Sequence, residues 1–176
     1  PAPYKVELLK RIAKELDIFV LFDRKSNKDR NSLFYENEIP FPHAFLKGFQ
    51  IGNENFYSHV SVHEIKKAKY DLIIMNGYST FAEMIAIQYM IRHHIPYALY
   101  VNGGVVHSDP KWRFRLKRKL ISHAFRYYSP TNACDEYLLH YGARKEDIRY
   151  FPYATITEDE IAKSRLTSIE REKILE

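Results

Sequence analysis

Short continuous apolar runs alternate with longer stretches at helical spacing along the 176-residue chain. The clearest case runs from Tyr70 to Gly104. Leu72, Ile73, Ile74 and Met75 form a run of the kind expected in a parallel strand buried on both faces. Thr80 and Glu83 then have the spacing of a capping box, and apolar residues recur at helical spacing up to His93. Pro96 restarts the chain, Tyr97 to Val101 is a second apolar run, and Asn102-Gly103-Gly104 closes it. A strand–helix–strand of this length predicts a right-handed crossover between parallel strands. Ligands of such sheets bind beyond the carboxyl ends of the strands, which marks the loops Asn76 to Thr80 and Asn102 to His107.

The rest of the chain follows the same alternation. Val6, Leu9, Ile12, Ala13 and Leu16 give a first helix one apolar face, and Ile18 to Phe22 reads as a strand. Asp23 to Ser32 is a polar loop, and Asn37 to Pro42 is extended. Phe45 to Ile51 reads as a strand near a sheet edge. Ser61 with Glu64 predicts a capped helix to Lys69. Ser108-Asp109-Pro110 predicts a helix start with Pro110 at the first helical position, running to about Ser122. Ala124 to Ser129 is a strand, Thr131 caps a helix through His140, and Gly142 terminates it. Ile148 to Phe151 is a further strand, and the chain from Glu158 is charged and helix-prone. This pattern predicts an α/β fold with a doubly wound, mostly parallel sheet, in which the first helix calls for a strand ahead of it.

Composition narrows the class. With 14 Tyr and 11 Phe the chain is globular rather than disordered. No apolar run nears the roughly 20 residues that span a bilayer. The amino end, PAPYKVELLK, does not read as a secretory leader. The single cysteine, Cys134, forms no intrachain disulfide, suits a reducing cytoplasm, and in a helical stretch reads as a packed small hydrophobe.

Candidate chemistry is sparse. Only six glycines occur, with no dinucleotide fingerprint and no P-loop, which argues against an ordinary NAD enzyme or NTPase. Gly103-Gly104 either makes a tight turn or lets backbone amides approach a ligand. Thr80 either caps its helix or helps an anion settle at the helix amino end. His59 with His63 and the pair His93-His94 lack the accompanying ligands of a metal site, so none is expected. His107, beyond Gly104, is the better candidate for substrate contact. Lys111 to Lys119 (KWRFRLKRK) holds six basic residues in nine: Lys111, Arg113, Arg115, Lys117, Arg118 and Lys119. Trp112, Leu116 and Leu120 form an apolar stripe at four-residue spacing, expected to pack on the sheet. The basic face is either solvated or binds anionic lipid, pyrophosphate or nucleic acid, although no nucleic-acid module is legible.

Three stretches in this order resemble the amino-terminal half of a GT-B glycosyltransferase of the bacterial "glycosyl transferases group 1" kind. They are PAPYKVELLKRIAKELDIFVLF, the stretch from Tyr70 to Gly104, and SPTNACDEYLLHYGARKEDIRYFPYA. The resemblance implies a Rossmann-like acceptor-side domain over residues 1–156, the start of an interdomain linker over 157–176, and a donor domain outside this sequence. It implies a retaining, metal-independent transferase in surface polysaccharide synthesis, with a nucleotide sugar as co-substrate, no cofactor, and a sugar or lipid-linked acceptor. Such enzymes work in the cytoplasm, often at the inner membrane face, where the basic helix would meet anionic lipid. The implied contacts are Pro3 and Tyr4 at the cleft edge, Tyr78, Ser79 and Thr80 in the middle loop, and Asn102, Gly103, Gly104 and His107 beside the donor sugar. Asn102 stands where the family has His or Asp, so no catalytic residue is assigned. The alternatives are a GT-B nucleotide-sugar 2-epimerase and a non-catalytic Rossmann-like module that binds membrane or polyanion.

Overall fold

The computed structural model describes residues 2–25, 39–52, 55–67 and 69–152. Most of the predicted polar loop, part of the extended segment before Pro42 and everything from Tyr153 lie outside the described residues.

The centre is a four-stranded, all-parallel sheet of β5 (Ile74–Met75), β6 (Ala98–Tyr100), β7 (Arg126–Ser129) and β8 (Ile148–Tyr150), in chain order across the sheet. Helices α3 (Phe81–Arg92), α4 (Lys111–Ile121) and α5 (Asn132–His140) make the crossovers, followed by a 3-10 turn at Lys145–Asp147. A parallel pair cannot be joined by a tight turn, and these helices supply the longer return path. Their apolar faces and the sheet enclose one core, built on Leu99, Ile87, Met90, Leu120, Ile121, Tyr127, Leu138 and Tyr141. Two buried tyrosines satisfy their hydroxyls inside that core: Tyr97 donates to the Leu120 carbonyl and Tyr127 to the Ile121 carbonyl.

A second, smaller region precedes it. Helix α1 (Pro3–Ile12) leads to β1 (Val20–Phe22), which pairs in parallel with β2 (His43–Phe45). The hairpin of β3 (Phe49–Ile51) and β4 (Asn55–Tyr57) follows, then α2 (Val60–Lys67). Leu46 and Phe56 pack there on Ala82 from the first turn of α3. The chain is therefore mixed α/β. The β5–β8 order runs in one direction, and among the described residues no hydrogen-bonded ladder joins it to the β1–β2 pair.

Several expectations change. The predicted strand from Phe45 to Ile51 is two strands in different sheets. Gly48 lies at the break, where a Cβ would come 2.1 Å from the Tyr57 carbonyl oxygen. The run from Leu72 is not buried on both faces: β5 is an edge strand of two residues, and Ile74 is 51% exposed. Helix α1 stops at Ile12, leaving Leu16 exposed. Ser61 does not cap α2; it lies within the helix, and Ser58 Oγ instead accepts from the Val60 N–H at 3.1 Å. Pro110 precedes α4 with extended backbone instead of opening it. Of the expected packing stripe on α4 only Leu120 is buried, while Trp112 is 64% and Leu116 37% exposed. Phe114, Leu120 and Ile121 provide the inward side.

Candidate functional site

The carboxyl ends of β5, β6 and β7 feed three segments to one edge of the sheet: residues 76–80, 101–110 and 130–131. Gly77, with φ +103°, turns the first loop through a conformation that side chains disfavour. Thr80 then closes a full capping box on α3. The Glu83 N–H donates to Thr80 Oγ1 at 3.3 Å, and the Thr80 N–H donates to Glu83 Oε2 at 2.9 Å. Thr80 Oγ1 also donates to Asp23 Oδ2 at 3.0 Å, tying the loop after β1 to the head of α3. Two carboxylates thus occupy the amino end of this helix. Burial holds both Asp23 and Glu83 above the usual carboxylate range, with the Thr80 bonds pulling the other way. A helix end that already carries its own anions has little attraction for a phosphate.

The second half of the edge rests on tyrosines. Tyr137 on α5 and Tyr141, which caps the carboxyl end of that helix, are four residues apart, both buried, with ring centroids 4.8 Å apart. The Tyr78 hydroxyl reaches over from the first loop to hydrogen-bond the Tyr137 hydroxyl. The Tyr141 hydroxyl donates to Asp109 Oδ2 at 2.5 Å and accepts from Lys117 Nζ at 3.3 Å. Lys117 Nζ also pairs with Asp109 Oδ2 at 2.9 Å and lies 4.9 Å from the Tyr141 ring centroid. Burial and the Tyr137 bond push the Tyr78 hydroxyl far above its usual range. Burial and the bond to Asp109 push Tyr141 up as well. The donated bonds from Tyr141 and Lys117 hold Asp109 down. For Lys117, burial works against the charge, and its bonds to Asp109 and Tyr141 outweigh it. The result is a set of hydrogen-bonded phenol hydroxyls around the Lys117–Asp109 ion pair.

Gly104 is what lets the 101–110 loop lie on this floor. Its φ is +152°, and a Cβ there would stand 2.6 Å from the Tyr137 ring. Gly103 faces open space, and Asn102, His107 and Ser79 are exposed. Tyr78, Ser79, Thr80, Asn102, Gly103, Gly104 and His107 therefore all lie in loops at one sheet edge. The first turn of α1 lies near, because Lys5 is within electrostatic reach of Glu83; Pro3 and Tyr4 flank it. Thr80 is engaged in its cap. Of the six basic residues of α4, Lys117 belongs to the tyrosine floor, Arg113 comes 4.0 Å from Asp109, and Lys111, Arg115, Arg118 and Lys119 are exposed.

The sequence reading did not single out Tyr137 or Tyr141 and took Asp109 only as part of a helix start. The two tyrosines stand four residues apart in the sequence, but their partners on the 101–110 loop and α4 are set by tertiary packing. Among the described residues no group of three or more His, Cys, Asp or Glu side chains converges as a metal site would require. Likewise, no helix among them is long and apolar enough to cross a membrane. No protein-family model matches the chain, and neither does any curated protein.

Proposed function

We propose that this chain is the acceptor-binding half of a nucleotide-sugar-dependent, retaining glycosyltransferase of GT-B architecture, working at the cytoplasmic membrane face in surface polysaccharide synthesis. In that reading the β1–β2 pair and the β5–β8 sheet are the two wings of one doubly wound sheet. The observation that carries it is the character of the carboxyl edge. Exposed Ser79, Asn102, Gly103 and His107 lie in the two loops that the Tyr78–Tyr137 bond and the packing of Gly104 on Tyr137 hold together, while the nearby helix end is filled by Asp23 and Glu83. Exposed hydroxyl, amide and imidazole groups suit a polyhydroxylated ligand. The filled helix end does not suit the diphosphate of a donor, which belongs to a second domain.

The chemistry of this half is then orientation. It holds the acceptor hydroxyl in line with the donor sugar, and a rigid floor lowers the entropic cost of reaction. Stabilisation of the leaving diphosphate falls to the donor side. A nucleotide-sugar 2-epimerase would place carboxylates at the cleft. Here residues 76–80 and 102–107 contain none, and Asp109 is committed to Lys117 and Tyr141.

The test uses the protein at its full natural length, incubated with lipid-linked sugar acceptors and a panel of radiolabelled nucleotide sugars. The expected result is label transfer from one donor without added metal, and a several-fold higher acceptor KM in His107→Ala with the donor KM unchanged. Absence of transfer from every donor would overturn the reading, and interconversion of the nucleotide sugar alone would favour the epimerase.

A further inference from the structure

Helices α3 and α4 leave a groove of about 540 Å³ between them, lined by Gln88, Tyr89, Ile91, Arg92 and Lys119. That is the size of a site for a small molecule. Both helices start at the carboxyl edge of the sheet and run back from it, and the lining residues fall in their second halves. The groove therefore lies toward the opposite edge, away from the loops 76–80 and 101–110.

Two features of the groove go beyond what packing requires. The Gln88 side-chain nitrogen is buried with no hydrogen-bond partner. A buried donor without an acceptor costs stability that an arriving acceptor restores. The second feature is charge. Arg92 and Lys119 line the groove, and Lys66 of α2 lies 5.3 Å from the centroid of the Tyr89 ring. Among the described residues none of these three cations pairs with a carboxylate. The carboxyl ends of α3 and α4 each favour a cation, which accounts for basic residues at Arg92 and Lys119. It does not account for an unpartnered amide donor in the same groove.

We propose that the α3–α4 groove binds a soluble phosphate monoester. The phosphate oxygens accept from Gln88, Arg92 and Lys119, Lys66 adds positive charge on the Tyr89 side, and the body of the molecule lies along Tyr89 and Ile91. A phosphate monoester carries about two negative charges at neutral pH and three acceptor oxygens, so it serves an amide and two cations together. A carboxylate, with one charge and two oxygens, matches them less well. A nucleic-acid strand needs a basic track along its backbone, whereas the groove offers one compact cluster. The site is separate from the acceptor edge and stands whatever reaction that edge supports.

The Gln88 side-chain amide is itself the reporter. Isotope-labelled protein is titrated with glucose 6-phosphate, adenosine monophosphate, inorganic phosphate and, as the uncharged control, glucose, and that amide is followed by NMR. The expected result is a saturable shift with a phosphate ester, a weaker response to inorganic phosphate and none to glucose. Arg92→Ser with Lys119→Ser lowers the affinity by at least about tenfold, through loss of two charged hydrogen bonds. Gln88→Leu, followed on the backbone amides of α3, lowers it about tenfold too. It also raises the melting temperature of the ligand-free protein by about 2–4 °C, because the buried donor is gone. Lys111→Ser with Arg115→Ser, on α4 but outside the groove lining, leaves binding unchanged. Arg92, Lys111, Arg115 and Lys119 are all exposed, and circular dichroism confirms that the variants fold. Absence of a saturable shift at Gln88 with both esters would overturn the proposal. So would binding indifferent to Arg92→Ser with Lys119→Ser, equal weakening by Lys111→Ser with Arg115→Ser, or inorganic phosphate held as tightly as both esters.

Discussion

The β5–β8 sheet and the β1–β4 region are built from similar short strands, yet they are held by different means. Around the four-stranded sheet, 15 buried residues form one core, among them Leu99, Leu120 and Leu138 with no exposed area. Around the front strands, three of the described residues do so: Leu46, Phe56 and Ala82. The strands β1 and β2 are half-exposed, and β3 is exposed throughout. Phe22 supplies some cohesion by stacking on Phe45 at 5.6 Å and edging against His43 at 6.1 Å. The difference follows from connectivity. β5, β6 and β7 are each followed by a helix that folds back over the sheet, so apolar area is buried by near neighbours in sequence. The front strands are attached to the rest mainly through α3, whose Ala82 faces the front cluster and whose Ala86, Ile87 and Met90 face the main core. Beside that shared helix stands the polar link from Asp23 to Thr80.

The sharpest way to break this comparison is a pair of equal truncations. Leu138→Ala removes a fully buried side chain from the large core and costs about 4 kcal/mol, whereas Leu46→Ala in the small cluster costs about 2 kcal/mol. Chemical denaturation of both variants reads the difference; equal losses would mean that the front cluster is as well packed as the sheet. Next in size is Thr80→Ala. It removes the cap of α3 and the donor to Asp23 together, for a loss of about 1–2 kcal/mol. Amide exchange should then accelerate in β1 and β2 before β6 and β7. Uniform acceleration would show that the link does not divide the two regions.

The smallest effect is in the pH dependence, where the two halves of the site have opposite signs. Asp23 and Glu83 have raised values in the fold, so their buried charge costs stability at neutral pH. That cost is relieved as pH falls through their folded values toward the unfolded carboxylate value of about 4. Asp109 has a lowered value, so its contribution is complete above about pH 4 and is lost as pH falls further, through its folded value. Glu83→Gln keeps an oxygen to accept from the Thr80 N–H while removing the charge. Stability measured between neutral pH and about pH 4 should rise on acidification in the parent and stay flatter in this variant. Identical slopes would remove Glu83 from the account.

How much of this was legible in the sequence depended on how local each determinant is. The capping box at Thr80, the cap at Thr131 and the stop at Gly142 with φ +93° each involve residues within a few positions of one another. They were read correctly, as were the alternation of β5 to β8 and the buried Cys134. The orientation of α4 was not. Helical spacing says which residues share a face, and α4 has two apolar rows; only the sheet decides which row it covers. The row with Phe114 and Ile121 turned inward, and Lys117 on that side found Asp109 and Tyr141. The break at Gly48 was equally hidden, because it depends on the Tyr57 backbone across the hairpin. In the site, the loops were marked by strand ends alone, while the tyrosine floor joins residues 78, 109, 117, 137 and 141 from four separate segments.

The most direct test of the central claim, that the carboxyl edge over the tyrosine floor holds a sugar acceptor, is a backbone-amide NMR titration of the chain with soluble acceptor-type oligosaccharides. The account predicts shifts confined to Tyr78–Thr80 and Asn102–His107, lost in Gly104→Ala, whose new Cβ would displace the loop from the Tyr137 ring. It predicts no comparable response to nucleotide sugars. Shifts elsewhere on the surface, or a stronger response of these same amides to nucleotide sugars, would contradict it.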